Sequence, residues 1–271
     1  MTDRDVQRMS YVCIIEQENI MAIQATEEFI ECWQAAGSWL QRQAQGQDLA
    51  WMRANLDLPL MEHLSFRLGN QLFFIRVTDA DDLIESPGTQ EDLMKIAAAC
   101  NGHACLMPMR FNFGTWMPAN KGWGLISAKD GSAINPPDLV TDEKIELTDW
   151  ELHDFAVQAA RMHLSKEGEQ VLAANSNPEL QPSIWLGGEQ GSQWVVVQAV
   201  RWPEEAKIPA NIKEIEARYK DKNARGNFAY VLFANEKQDI NTPLKEGEKP
   251  LPIYRGDKVY ISWSGLCDIN E

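Results

Sequence analysis

The sequence is poor in basic residues and in long apolar runs, and each shortage excludes a class of function. Lys and Arg number 25 against 40 Asp and Glu, so the net charge is −15 at pH 7. Phosphate-backbone binding depends on clustered cations, so this charge opposes nucleic acid as a partner and suits a basic protein instead. The apolar runs fall short of the roughly 20 residues needed to cross a bilayer, so we expect no membrane insertion.

Cysteine is scarce and widely scattered. The five cysteines are odd in number and far apart, which predicts reduced thiols rather than a disulfide framework. The N-terminus lacks a basic segment followed by an apolar stretch, so we expect no secretory signal. Both observations predict a cytoplasmic protein.

Recognised catalytic and cofactor motifs are missing as well. No Gly-x-Gly-x-x-Gly opens a helix after a strand, and the sequence has neither a Gly-Lys-Ser/Thr loop nor a Gly-x-Ser-x-Gly elbow. Cys100, His103 and Cys105 come closest to a zinc site, but a closed site needs four ligands. We therefore predict no metal, no cofactor and no complete catalytic site.

What the sequence does contain is a similarity between its two halves. Residues 65–69 resemble residues 183–187, and residues 102–107 resemble residues 226–231, at separations of about 120 residues. Such spacing predicts an internal duplication. We expect Gly102 and Gly226 to be equivalent positions.

Local patterns predict the same order of elements in both halves: a helix, two or three strands, a helix and two strands. Thr148 and Glu151 form a capping box that begins the first helix of the second half. An Asn-Pro-Pro tract within residues 131–147 predicts a linker. We therefore predict an α+β fold of two similar units, residues 1–130 and 148–271, with mixed sheets covered by helices.

Three further local predictions concern the first half. Apolar periodicity predicts a helix over residues 19–45, and residues 48–56 predict a second, short helix. Residues 63–68 and 71–78 predict two strands joined at Gly69-Asn70.

The order helix, strands, helix, strand resembles the restriction-endonuclease-like core over residues 148–235, with an echo over 24–111. In that family a helix Glu, a strand Asp and a Glu-x-Lys gather around magnesium, and the Lys helps to orient the attacking water. The resemblance implies a metal-dependent nucleic-acid hydrolase if such residues are present.

Most of those ligand positions hold other residues here. The helix acid falls on Glu167 or Glu169, but the second strand, residues 183–186, contains no acid. The Glu-x-Lys position reads Gln-Ala-Val at residues 198–200. Three acids that follow a first-unit strand predict a solvated acidic turn: Asp79, Asp81 and Asp82.

The acidic composition and the element order are also similar to the type III secretion chaperone fold. That resemblance implies binding of unfolded effector segments by strand addition and by apolar patches. Such chaperones are single-unit dimers, and a fused pair departs from that pattern.

Aromatic and Arg side chains in the second half are the candidate binding residues, because these types dominate binding hot spots. The candidates are Trp185, Arg201, Trp202, Tyr254 and Arg255. Residues 201–203 and 254–256 lie at strand ends, where we expect exposure, and Trp194 is expected in the core. The alternative is that these side chains only cover the sheet.

The sequence therefore predicts a non-catalytic factor that binds another protein, in the manner of an accessory, immunity or chaperone-like protein. The alternative is the metal-dependent nucleic-acid hydrolase. A positive groove beside Arg201, Arg255 and the helix within residues 213–222 favours the hydrolase. An acidic face with exposed Trp or Tyr favours protein binding.

Overall fold

The computed structural model describes residues 26–53, 64–188, 191–220 and 224–269. In that part of the chain it has four α-helices, a short 3-10 helix and two mixed β-sheets, so the fold is α+β as predicted. The helices are α1 (Glu27–Gln43), α2 (Gln90–Ala99), α3 (Asp149–Lys166) and α4 (Ile212–Tyr219). The first sheet contains β1 (Leu49–Arg53), β2 (Leu64–Leu68), β3 (Gln71–Asp79), β4 (His103–Asn112), β5 (Thr115–Pro118), β6 (Leu125–Ser127) and β7 (Ala133–Ile134). The second sheet contains β8 (Gln170–Ala174), β9 (Ile184–Gly187), β10 (Gln193–Arg201), β11 (Arg225–Asn235), β12 (Val259–Trp263) and β13 (Cys267–Asp268).

Contacts within the chain divide it into two units. The first holds the described residues up to 66, together with 73–95 and 103–136. The second holds 67–72, 96–102 and the described residues from 137 onward. The change of unit at 136/137 falls inside the predicted linker, and two short segments of the first half belong to the second unit.

The first sheet has the strand order β1-β2-β3-β4-β6-β7, with β5 also paired to β4. The crossover through α2 makes β3 and β4 parallel, with Phe73 opposite His103 and Asp79 opposite Met109. The buried side chains of α1 recur three or four residues apart, which gives one apolar stripe. These side chains are Phe29, Cys32, Trp33, Ala36 and Leu40.

The second sheet has the order β12-β11-β10-β9-β8, with β13 also paired to β11. Strands β10 and β11 are parallel and are linked through α4. Alternate residues of β10 serve two cores: Val195 and Val197 pack with α3, whereas Trp194 and Val196 pack with Ile215 of α4. The sheet is covered on both faces, which is why residues 194–197 of its central strand β10 are all apolar.

The two halves share one element order. Each begins with a helix and three strands, and then has a second helix and a strand that pairs in parallel with the third strand. This order matches the predicted one up to the strand after the second helix, but four strands follow α2 and three follow α4 in the described residues, where two were predicted. The duplication itself, including the equivalence of Gly102 and Gly226, stays a prediction.

The predicted capping box is confirmed, because Thr148 Oγ1 accepts from the Glu151 backbone N–H and the Glu151 carboxylate accepts from the Thr148 N–H. The short helix predicted over residues 48–56 is wrong where the structure describes it, since Leu49–Arg53 forms β1. The Trp51 ring packs edge-on against Phe66 at 5.8 Å, and this tertiary contact overrides good helix formers. Parts of three predicted elements lie outside the described residues: 19–25 of the first helix, 54–56 of the short helix and residue 63 of the first strand.

Among the helices of the described residues, none combines the length and the apolar character that crossing a bilayer requires.

Candidate functional site

Three of the five predicted binding residues meet at one cleft in the second unit. Arg201, Trp202 and Tyr254 line this cleft, which has a volume of about 500 Å³. It lies where the parallel strands β10 and β11 end, so its floor includes Phe233. The carboxyl ends of parallel strands are a frequent place for ligands in sheets of this kind.

The cleft combines aromatic, proline and polar side chains. Its remaining lining residues are Glu146, Ala234, Asn235, Gln238, Lys249, Pro250, Leu251, Pro252 and Ile253. Trp202 and Tyr254 are half-buried, and Leu251 is exposed. Rigid aromatic and proline surfaces with a few polar groups suit the recognition of a peptide segment.

Arg201 is held in place by acidic neighbours. Its Nε lies 3.3 Å from Asp149 Oδ1 and its Nη1 lies 3.5 Å from Glu146 Oε1. Its Nη2 donates a hydrogen bond to the carbonyl of Leu147. The guanidinium is therefore already paired, and it contributes a fixed surface rather than an open cation.

The proline-containing wall of the cleft is also held in place. Asn235 Nδ2 donates to the Pro252 carbonyl at 2.7 Å, and Gln238 Oε1 accepts from the Leu251 N–H at 2.9 Å. The Leu147 N–H donates to the Ile253 carbonyl at 2.8 Å. A wall fixed before binding loses little conformational entropy when a ligand arrives.

Arg255 does not reach the cleft, and its expected exposure is wrong. Its side chain is fully buried and forms a two-pronged ion pair with Glu151, with Nε–Oε1 at 2.9 Å and Nη2–Oε2 at 3.0 Å. Its guanidinium also donates to the carbonyls of Asn70, Asn101 and Cys100, in the two segments of the first half that belong to the second unit. Arg255 therefore anchors the backbone beside it, which places Tyr254 in the cleft wall.

Trp185 lies elsewhere in the second unit. Its ring meets the Tyr219 ring edge-on at 4.9 Å, and it packs against the α4 side of the sheet. Trp194 is fully buried beside it, as predicted. Trp185 thus covers the sheet, as the alternative interpretation of the aromatic residues predicts.

The positions implied by the hydrolase resemblance are dispersed. Glu167 is the exposed C-cap of α3, and Glu169 is half-buried in the turn that follows. In the part of the chain that the structure describes, no group of three or more His, Cys, Asp or Glu is arranged to hold a metal ion.

The cysteine–histidine motif of the first half lies inside the protein. Cys100 and Cys105 are buried, and the His103 ring stacks on Phe73 at 5.0 Å. Burial raises the pKa of the Cys105 thiol to about 12, so this side chain stays protonated at neutral pH. A protonated thiol is a poor nucleophile.

Sequence reasoning missed the residues that build the cleft wall. Asn235 is the last residue of β11 and Gln238 follows it, and Pro250 and Pro252 lie in the loop between β11 and β12. The signal that could have found them is the pair of prolines placed just before Tyr254. Two prolines restrict the backbone and present a stiff apolar surface.

One protein-family model matches residues 150–269, which is less than half of the chain, and its description is Domain of unknown function (DUF8840). The match includes all five predicted binding residues and most of the cleft. No curated protein and no solved structure matches the chain.

Proposed function

We propose that this chain is a non-catalytic protein-binding factor and that the cleft of its second unit holds an extended segment of the partner protein. The observation that carries the proposal is the meeting of Arg201, Trp202 and Tyr254 around one cleft of about 500 Å³. Trp, Tyr and Arg are the residues that most often supply binding energy at protein interfaces.

Charge supports a protein partner over a nucleic acid. The two arginines expected in a positive groove are paired with carboxylates, Arg201 with Glu146 and Asp149, and Arg255 with Glu151. An arginine already held by carboxylates offers few free donors to a phosphate. The net charge of −15 favours a basic partner.

The hydrolase remains the second candidate, because the second unit has the element order of the restriction-endonuclease-like core. A helix and a three-stranded meander precede α4 and the strand parallel to β10. A likeness of element order alone is an argument by analogy, since many functions share one fold.

The test is a pull-down of the tagged full chain from a lysate of its own source, followed by quantitative mass spectrometry and calorimetry with the purified partner. Tyr254→Ala removes an aromatic side chain from the cleft wall. Tyr260→Ala is the matched control, because Tyr260 is an exposed tyrosine of β12 outside the lining of the cleft.

We expect one partner at fixed stoichiometry, bound at least about 30-fold more weakly by Tyr254→Ala and normally by Tyr260→Ala. Equal binding by both variants overturns the cleft as the binding site. Magnesium- or manganese-dependent cleavage of nucleic acid by the purified chain, without a protein partner, favours the hydrolase.

A further inference from the structure

The first unit carries a β-hairpin that extends past the end of its parallel strands. The pairing of β3 with β4 ends at Asp79 opposite Met109. Strand β4 continues to Asn112 and pairs there with β5, with Phe111 opposite Trp116. Three residues beyond Met109 correspond to about 10 Å of extended chain.

The turn of this hairpin contains an unusual residue. Phe113 and Gly114 form the two-residue turn, and both have positive φ, 49° and 81°. Positive φ at both positions defines the turn type for which Asn-Gly is preferred. A phenylalanine in the left-handed region is disfavoured, because its Cβ crowds the backbone.

The aromatic ring gains no burial in return. The Phe113 side chain is fully exposed to solvent, whereas most large apolar side chains of the unit are buried. Residues with a strained backbone cluster at functional sites such as ligand-binding sites. Phe113 is therefore better explained by contact with another molecule than by folding.

Exposed apolar side chains lie on both faces of the hairpin beside its turn, because Phe111 is opposite Trp116 whereas Met117 is opposite Arg110. Leu83 is 85% exposed, and Phe111 and Met117 are also exposed. The Phe111 ring packs against Trp116 at 5.3 Å, which fixes its orientation. We call Leu83, Phe111, Phe113 and Met117 the apolar tip.

The loop that presents Leu83 is held by a buried carboxylate. Asp79 accepts hydrogen bonds from the backbone N–H groups of Asp81, Leu83 and Ile84, at 3.0, 2.8 and 3.2 Å. Asp81 in turn pairs with Arg110 of the hairpin at 3.2 Å. The loop and the hairpin are thus linked, and Leu83 is exposed by a fixed turn.

Charge selects the kind of molecule that the tip contacts. Asp82 and Glu85 are exposed on either side of Leu83, and the chain carries a net charge of −15. A second copy of the chain and an anionic membrane would both be repelled. A basic rim around an apolar pocket would be attracted.

We propose that the apolar tip inserts Phe113 into an apolar pocket with a basic rim on a partner protein. This interaction surface belongs to the first unit and does not depend on the cleft of the second. The first unit then has a role in recognition of its own.

The experiment places the photo-reactive analogue p-benzoylphenylalanine at position 113 of the full chain, expressed in its own source. The matched control places it at position 260, an exposed site on β12. The protein cross-linked at position 113 is purified, and its dissociation constant is measured by calorimetry with the unmodified chain and with Phe113→Asn. Because Asn-Gly is the preferred sequence for this turn, Phe113→Asn should fold at least as stably as the natural chain.

We expect a protein adduct specific to position 113, a dissociation constant raised at least about 30-fold by Phe113→Asn, and weaker binding at high salt. A Leu83→Ser variant should weaken the same complex. Tyr254→Ala should leave the adduct in place, so this test and the test of the cleft can fail independently.

Four outcomes overturn the proposal: no protein adduct at position 113, a cross-linked dimer of the chain, an unchanged dissociation constant for Phe113→Asn, or binding to phosphatidylcholine–phosphatidylglycerol vesicles that Phe113→Asn removes. The cross-linked dimer would identify a second copy as the occupant, and the vesicle result would identify a lipid surface.

Discussion

Arg255 and Glu151 form a fully buried two-pronged ion pair, with relative side-chain exposures of 0% and 1%. The pair joins the start of α3 to the segment that carries Tyr254, and the same carboxylate closes the capping box at Thr148. The guanidinium also satisfies the carbonyls at the end of α2, namely Cys100 and Asn101. One side chain therefore stabilises two helix ends and the cleft wall of the second unit.

We expect Arg255→Met to lower the free energy of unfolding by about 3–5 kcal/mol, because it leaves the buried Glu151 carboxylate without its cation. Urea unfolding followed by tryptophan fluorescence measures the change. Arg201→Met is the control: its ion pairs are partly exposed, so the expected loss is about 1 kcal/mol or less.

A second substitution separates charge from packing at this site. Glu151→Gln neutralises the carboxylate and keeps an oxygen for the cap, so Glu151→Gln/Arg255→Met should be more stable than Arg255→Met alone. If the double variant is less stable than Arg255→Met, an uncompensated carboxylate is not the cause of the loss.

Gly226 of β11 leaves room for the ring of Trp194, the residue paired with it on β10. A Cβ at this position would lie 2.6 Å from Cη2 of Trp194, the residue paired with it, and 2.6 Å from Cδ1 of Ile269. Trp194 is fully buried and cannot retreat without disturbing its core. We expect Gly226→Ala to destabilise the chain by about 1–3 kcal/mol in urea unfolding.

Gly37 provides the matched comparison. It lies inside α1, where the nearest atom to an added Cβ is Leu64 Cδ2 at 4.0 Å. Gly37→Ala should therefore stabilise the chain by about 0.5–1 kcal/mol through helix propensity. Destabilisation of similar size by both substitutions would contradict the close approach at Gly226.

Buried thiols make the stability depend on alkaline pH. Burial raises the pKa of Cys32 and of Cys105 to about 12, and the charge of Asp79 adds to the shift at Cys32. Because the folded pKa exceeds the ordinary value of 9.0 for a free thiol, the contribution to stability is complete below pH 9 and is lost as the pH rises from 9 towards 12.

We expect the free energy of unfolding to fall above pH 9, and to fall less steeply in Cys105→Ala, which lacks one of these thiols. Urea titrations at pH 8, 9.5 and 10.5 measure both slopes. Other groups titrate in both proteins, so the difference between the slopes isolates Cys105. Identical slopes would show that this thiol ionises equally in the folded and unfolded chain.

Several features could be predicted from the sequence because they depend on neighbours along the chain. Thr148 and Glu151 are three residues apart, so their capping box follows from helix geometry alone. Sheets covered by helices were also predicted, and the structure places α3 on one face of the second sheet and α4 on the other.

The candidate site was predicted only in part. Residue type and position at strand ends selected Arg201, Trp202 and Tyr254, and these three share the cleft. The same criteria selected Arg255, which is buried, and residue type alone selected Trp185, which covers the sheet. Type and spacing do not show which way a side chain points once the chain leaves a strand.

The sequence by itself determined the acidic charge and the α+β class, because composition and periodicity are properties of the chain alone. Only the tertiary structure decided that Arg255 contacts Glu151 and that Phe113 is exposed at a hairpin tip. It also decided that Asp79 is buried, although the cluster of acidic residues around it predicts a solvated turn. Glu151 and Arg255 are 104 residues apart in the chain. Their contact arises when the sheet and helices pack, and no local pattern records it.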